Sequence, residues 1–389
     1  MSRGVLRLVR RVLPLAFALV FFDSCIFKDE VEHQINRTVL VYMCAENNLA
    51  MTAQSNIRSM STCLGRGMDN YNLLAYIDCS GMDPALIRIH DFKIDTIAKY
   101  PERDSTDPKV MREVIDYVLA NFKAEHYGLV MWSHGTGWLP GNKLHYVAPS
   151  MGYAPQRRAF AMEGQKPNYS YMDLDEMVQA IPDGIFDYIL FDACFMGSVE
   201  VAYALRNKAQ QIVSSSCEIV SYGFPYHVVT RDLVSNNLLK SCDDFYDYYN
   251  SMKGWYRTAG ISLVKTDEMD SLARCFRKII GEYGDTVTKL DMSKIQCFDR
   301  FDHHMIFDLE DVVVKLGTRR ELMNEFRLQL DKCIPFKKST EVFFRTDNDS
   351  IIVNSYCGLS VYIPLPIYEA AGVNDSYRQT DWSDYTDYK

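Results

Sequence analysis

The 389-residue chain has no Cys-x-x-Cys pair, although it carries 11 cysteines. Their irregular spacing excludes a zinc ribbon and a thioredoxin-like redox pair, and it does not form the pattern of a disulfide framework. There is little positive charge, with 42 Lys and Arg against 51 Asp and Glu and a net charge of −9. No long basic run occurs beyond the N-terminus, so nucleic acid is not an expected partner. Repeats at solenoid spacing and Gly/Ser or Pro-rich linkers are also missing, which removes repeat arrays and strings of independent modules. What remains is a globular composition, 48% hydrophobic and 24% charged. That is enough for one large α/β domain with an appendage, or for two domains.

The N-terminus reads as a targeting segment. Arg3, Arg7, Arg10 and Arg11 precede an apolar stretch over residues 12–22, too short to cross a hydrocarbon core as a helix. Ser24-Cys25 then resembles a bacterial lipoprotein cleavage site, with Phe22 and Asp23 in place of the usual Leu and small residue. The reading is a signal peptide over 1–24, lipidation at Cys25 and a tether over 25–36. Ile26-Phe27-Lys28-Asp29-Glu30 is similar to the surface-export signal of Bacteroidetes lipoproteins. Together these imply a membrane partner through the lipid and a cell-envelope location, on the periplasmic or cell-surface face of the outer membrane.

Short apolar, β-branched or aromatic runs recur at 38–44, 72–78, 85–90, 127–133, 187–193, 211–215, 259–264 and 358–363. Helical spacing fills 48–63, 108–123, 171–180, 198–206, 243–256 and 267–283. Leu129 to Trp132 and Tyr188 to Phe191 are almost continuously apolar, as strands covered on both faces are. The alternation predicts an α/β fold with a mostly parallel sheet. Residues 138–168 form the longest irregular segment, and a loop of that length inside a domain is usually functional. Cys44 and Cys79 sit in or at the end of apolar runs, where a thiol behaves as a small buried hydrophobe.

Chemistry-bearing residues follow two strands. The run ending at Ser133 leads into His134-Gly135-Thr136-Gly137-Trp138, and the run ending at Phe191 leads into Asp192-Ala193-Cys194. Carboxyl ends of parallel strands share one crevice, so a histidine and a cysteine delivered there can meet. A neighbouring imidazole and a following helix N-terminus both favour a thiolate nucleophile. Taken singly, each residue is as easily a buried cysteine or a packed histidine. No Gly-x-Ser-x-Gly elbow surrounds Ser133, which argues against a serine hydrolase.

These two motifs, the second continuing as Phe195-Met196-Gly197-Ser198-Val199-Glu200, resemble the signatures of the clostripain family of cysteine peptidases. Tyr42-Met43-Cys44-Ala45-Glu46-Asn47-Asn48-Leu49 and Asp308-Leu309-Glu310-Asp311 are similar to further elements of that family, with Glu46 where an Asp is usual. The resemblance runs over residues 37–365. It implies a caspase-like three-layer sandwich, with a catalytic domain over 37–257 and a C-terminal α/β portion over 258–389. It also implies a His134/Cys194 dyad without a third residue, protein or peptide substrates, and a monomer. Acyl transfer needs donors for the tetrahedral oxygen, and the backbone N–H groups of Gly135 and Cys194 are the candidates.

Asp192 is similar in position to an acid the family uses in its S1 pocket, where it would pair with a P1 Arg or Lys; otherwise it would cap the next helix. In the stretch that follows the dyad only Glu218 is acidic, and it is the second S1 candidate. The family's activation by self-cleavage points to Arg157 or Arg158 in the long loop. No cofactor is expected beyond calcium, which the namesake peptidase needs; Asp347-Asn348-Asp349 supplies oxygen ligands but no EF-hand loop. Asp302-His303-His304 is read as structural, because adjacent residues in an extended chain point to opposite faces. The competing reading of the whole chain is a non-catalytic envelope binding or scaffold lipoprotein that keeps the peptidase fold.

Overall fold

In the computed structural model the apolar runs pair side by side into one nine-stranded sheet. The structure describes residues 35–64, 68, 70–90, 92–143, 160–165, 168–346 and 350–389. The strands are β1 Arg37–Ala45, β2 Tyr71–Cys79, β3 Met82–His90, β4 Lys93–Lys99, β5 His126–Trp132, β6 Phe160–Gln165, β7 Asn168–Met172, β8 Phe186–Asp192, β9 Ala209–Ser214, β10 Gly260–Lys265, β11 Phe307–Asp308 and β12 Phe336–Ser339. The main helices are α1 Ala50–Leu64, α2 Pro108–Asn121, α3 Leu174–Ala180, α4 Val199–Ala204, α5 Tyr226–Val234, α6 Leu238–Asn250, α7 Met269–Tyr283, α8 Leu309–Lys315 and α9 Arg320–Cys333.

The sheet order is β12-β10-β9-β8-β5-β1-β2-β3-β4. Its middle, β9-β8-β5-β1-β2, is parallel, and both margins are antiparallel. Successive side chains of β1 go to opposite layers, as the period of a strand requires. Leu40, Tyr42 and Cys44 pack with Met111 and Ile115 of α2, Met177 of α3 and Phe276 of α7. Val39, Val41 and Met43 pack with Ile57 and Met60 of α1, Val229 of α5 and Phe245 of α6. The result is the mixed α/β three-layer sandwich with a mostly parallel sheet.

Local chemistry sets the helix starts. Asp107 caps α2 by accepting the Lys109 N–H at 2.8 Å, with Pro108 in the first turn where its missing N–H costs nothing. Asp173 and Glu176 form a capping box at α3. That box starts the helix at residue 174 rather than 171, because Tyr171 and Met172 belong to β7. The long loop is correspondingly shorter than the sequence suggested, since β6 and β7 form a hairpin within and just beyond it. The run at 358–363 does not join the main sheet; its Ser360–Val361 segment pairs with β11 instead.

Residues Gln34–Lys389 form one compact unit, and β10 and β12, from beyond residue 257, lie in the same sheet as the strands that lead into His134 and Cys194. Among the described residues no helix is long and apolar enough to cross a membrane. All ten described cysteines are free thiols, and Cys44 and Cys79 are buried.

At the amino end of β1, Arg37 Nη2 meets Asp187 Oδ2 at 2.6 Å, and both side chains are almost fully covered. Removing one partner of such a pair leaves a buried charge uncompensated. Arg37→Met is expected to lower unfolding stability by about 3 kcal/mol in a urea titration, while Arg37→Met with Asp187→Leu recovers most of it.

Candidate active site

The crevice forms where strand order reverses, between β1 and β5, which is where an open parallel sheet binds its ligands. Three strands deliver residues to it. After β1, Asn47 turns the chain: its Oδ1 accepts the Leu49 N–H at 2.8 Å and its Nδ2 donates to the Cys44 carbonyl at 3.2 Å. This Asx turn presents Asn48 immediately before α1. After β5, the Ser133 hydroxyl donates to the Cys44 carbonyl at 2.8 Å and its N–H to the Asp192 carbonyl at 3.3 Å. Ser133 is thereby a buried tie between strands rather than a nucleophile. His134 follows, 6% exposed.

β5 and β8 are in register with Trp132 opposite Asp192, so His134 and Cys194 each come two residues after a paired position. The backbones beyond the strand ends then touch. A Cβ on Gly135 would lie 2.5 Å from the Cys194 carbonyl oxygen, so only glycine fits. Gly197 is equally constrained, since a Cβ there would lie 2.6 Å from backbone atoms of Ser215 and Ser216. Phe195, between them, has φ +63°, a left-handed conformation that costs a non-glycine residue roughly 1–3 kcal/mol and that collects at functional sites.

The His134 Nε2–H points at Asn48 Oδ1, 2.8 Å away. An amide oxygen can only accept, so a proton on Nε2 completes this bond and fixes the ring. The sequence reading assigned no third residue, and Asn48 was seen only as part of a strand-to-helix motif. Cys194 is partly exposed. Its Sγ accepts the Ile219 N–H at 3.3 Å and lies 3.7 Å from the Ile219 carbonyl oxygen, to which the thiol donates. Burial, and after it the charge of Glu218, hold the thiol well above its ordinary pKa, so it rests neutral.

The two acids separate in role. Asp192 is 4% exposed, and its Oδ2 accepts the Phe224 N–H at 3.0 Å and the Tyr226 hydroxyl at 2.9 Å. It ties down the turn before α5. It does not cap the next helix, because Ser198 caps α4 by accepting the Val201 N–H. Burial pushes the Asp192 carboxyl up to about 6. Glu218 lies in a bidentate ion pair with Arg300, both contacts at 2.9 Å, and the guanidinium stacks over Trp255 and Phe344. The expectation that Glu218 reads a basic side chain is corrected on this geometry: a buried guanidinium already occupies both of its oxygens.

Other expectations sort as follows. Arg157, Arg158, Cys25 and Asp347-Asn348-Asp349 lie outside the described residues. Asp308 is buried, caps α8 and accepts the Cys357 N–H at 2.6 Å, a structural tie. His304 pairs with Asp299, and the His303 ring lies against Tyr368, so the two imidazoles diverge. Among the described residues, Glu46, Asp78 and Glu163 bring ligand oxygens within 4.8 Å of one another. Burial pushes Glu163 and Asp78 up, and Glu163 accepts from the Ser105 N–H and hydroxyl at 2.5 and 3.0 Å. A proton on Glu163 removes one of the cluster's negative charges and leaves Glu46 and Asp78 as acids beside it.

Comparison with known proteins bears on the family and the fold. The model of the clostripain family matches residues 41–367. Clostripain of Hathewaya histolytica is 27% identical over 230 residues, covering 49% of this chain and 40% of that protein, so the chain matches less than half of this relative's length. The structure is similar to an inactive zymogen C11 protease from Parabacteroides distasonis, with TM-score 0.78 and 29% identity over 90% of this chain and 97% of that one. It is also similar to a secreted C11 cysteine protease from Bacteroides thetaiotaomicron in complex with an irreversible peptide inhibitor, with TM-score 0.77 and 27% identity over 91% of this chain and 99% of that one.

The raised carboxyl of Asp192 has a consequence for stability. Its folded pKa of about 6 exceeds the ordinary unfolded value, so the folded state binds the extra proton and the penalty for ionisation grows as pH rises between about 4 and 6. Asp192→Asn removes that penalty. Its stability relative to the parent chain is expected to rise by about 2 kcal/mol across that window in denaturant titrations, and a flat difference contradicts the assignment.

Proposed function

The chain belongs to the clostripain family, and from that premise we propose that it is a cysteine endopeptidase working through Cys194 and His134. The carrying observation is the convergence of His134, Gly135 and Cys194 at the carboxyl edge of β5 and β8, with Asn48 orienting the imidazole.

Because the resting thiol is neutral, its proton passes to His134 Nδ1 as sulfur attacks the scissile carbonyl carbon. The tetrahedral oxygen is stabilised by the N–H groups of Gly135 and Cys194. The imidazolium then protonates the departing amine. The neutral imidazole so formed takes a proton from the water that attacks the thioester and passes it to the departing sulfur, restoring the thiol. Asn48 acts on the imidazole alone and is a positioning residue. A carboxylate has about four acceptor sites, so Asp192 can receive a P1 Arg or Lys beside its two present donors. Basic P1 specificity is proposed on Asp192 without Glu218.

Self-cleavage after Arg157 or Arg158 is proposed as activation. The likeness to a zymogen supports it, as does the placement of both residues in the segment that joins the two dyad strands. From sequence alone we keep the lipid at Cys25, the envelope location and a monomeric state as parts of the same proposal.

Turnover of peptides with P1 Arg or Lys is expected to vanish in Cys194→Ala and in His134→Ala. Asn48→Ala is expected to lower kcat by about 10- to 100-fold with KM nearly unchanged. Turnover that survives Cys194→Ala overturns the reading. For processing, Cys194→Ala protein is expected to stay as one chain and the parent to split between residues 157 and 159; a parent that is fully active and unsplit rules self-activation out.

A further inference from the structure

Three carboxylates converge at the carboxyl ends of β1 and β2. Glu46 follows β1, Asp78 lies in β2 opposite Cys44, and Glu163 comes from β6, with one ligand oxygen of each within 4.8 Å of the others. Acids often gather on a protein surface without holding an ion, but two observations set this group apart. Asp78 is 1% exposed, and its Oδ2 has no hydrogen-bond partner among the described residues. Glu163 is 3% exposed, and both of its oxygens accept from Ser105, as those of an ionised carboxylate do.

The protein does not balance this charge by itself. A single proton between Glu163 and Asp78 would bridge two oxygens and leave Glu46 and the bare Asp78 oxygen uncompensated. Glu102 and Asp104 add negative charge from the side. Arg103 acts on Asp78 only through space, because its guanidinium donates to the Tyr76 hydroxyl at 3.2 Å and to Glu113 at 3.1 Å. A buried carboxylate so placed is costly unless a cation meets it.

We propose that Glu46, Asp78 and Glu163 form a binding site for a divalent cation of the calcium type, with water completing its coordination sphere. An all-oxygen donor set suits a hard cation, and two ligands of one calcium ion lie at most about 5 Å apart, a span that the three oxygens keep within. The ion would tie together segments that carry the active site. Glu46 stands two residues before Asn48. In β6 the Ala161 N–H donates to the His134 carbonyl at 3.1 Å, and the Gly164 N–H donates to the Glu46 carbonyl at 3.2 Å. Any effect of the ion on turnover rests on the peptidase reading, whereas its binding does not.

The test is equilibrium dialysis of the full chain, stripped with a chelator, against calcium at about 1 mM, paired with thermal unfolding. About one calcium per chain is expected, and the melting temperature is expected to rise with calcium concentration. Glu46→Gln, at the half-exposed member of the set, is expected to weaken binding about tenfold, and Asp78→Asn by at least as much. Magnesium, which is smaller and gives up its water reluctantly, is expected to bind at least about tenfold more weakly. A parent chain that takes up no calcium overturns the inference, and a shared proton then fills the cluster. Binding unchanged in folded Glu46→Gln overturns it as well, because the ion then sits elsewhere. Equal binding of magnesium overturns the calcium assignment. Dialysis reads no catalysis, so each of these outcomes is separate from the failure of Cys194 and His134 in their proposed roles.

Discussion

The register of β5 between β1 and β8 is the constraint on which the site depends. These strands are buried on both faces, so a slip of one residue would turn every side chain into the wrong layer. With register fixed, the residues just past the strand ends have no freedom in where they emerge. Asn48, His134 and Cys194 arrive at one edge from three strands, and the contact of Gly135 with the Cys194 backbone closes the gap between two of them. The chemistry is therefore a property of the sheet, with the loops supplying only the last two or three residues.

Around that edge the polar groups are mostly engaged with the protein itself. Asp192 holds the turn before α5, Glu218 holds Arg300, and the Cys194 thiol sits against the Ile219 peptide. Strain is stored beside Cys194 at Phe195. Each of these features costs stability locally, and the two-sided apolar core of the sheet offsets it. On the proposed reading, a thiol held neutral by burial would lose its proton during attack rather than rest as an ion pair.

Much of this was legible in the sequence because it is local. The continuous apolar runs gave the buried strands, and glycine just after His134 marked the close approach. What was not legible depends on topology. The Asn48–His134 contact joins residues 86 apart, and the Glu218–Arg300 pair joins residues 82 apart, so neither has a local pattern. β4 and β12 were missed because they are edge strands whose lysines, such as Lys93 and Lys99 or Lys337 and Lys338, break the apolar alternation while guarding the sheet margins. The His304–Asp299 pair is likewise set by how the loop folds back and not by spacing.

The most direct measurement is the mass of the protein quenched during turnover of a peptide ester, digested and mapped. The account predicts a thioester-bound acyl group on the fragment carrying Cys194, at up to one per chain, and none in the His134→Ala protein. An acyl group on any other residue, or steady hydrolysis with no trapped acyl group in a burst-phase quench, would contradict it.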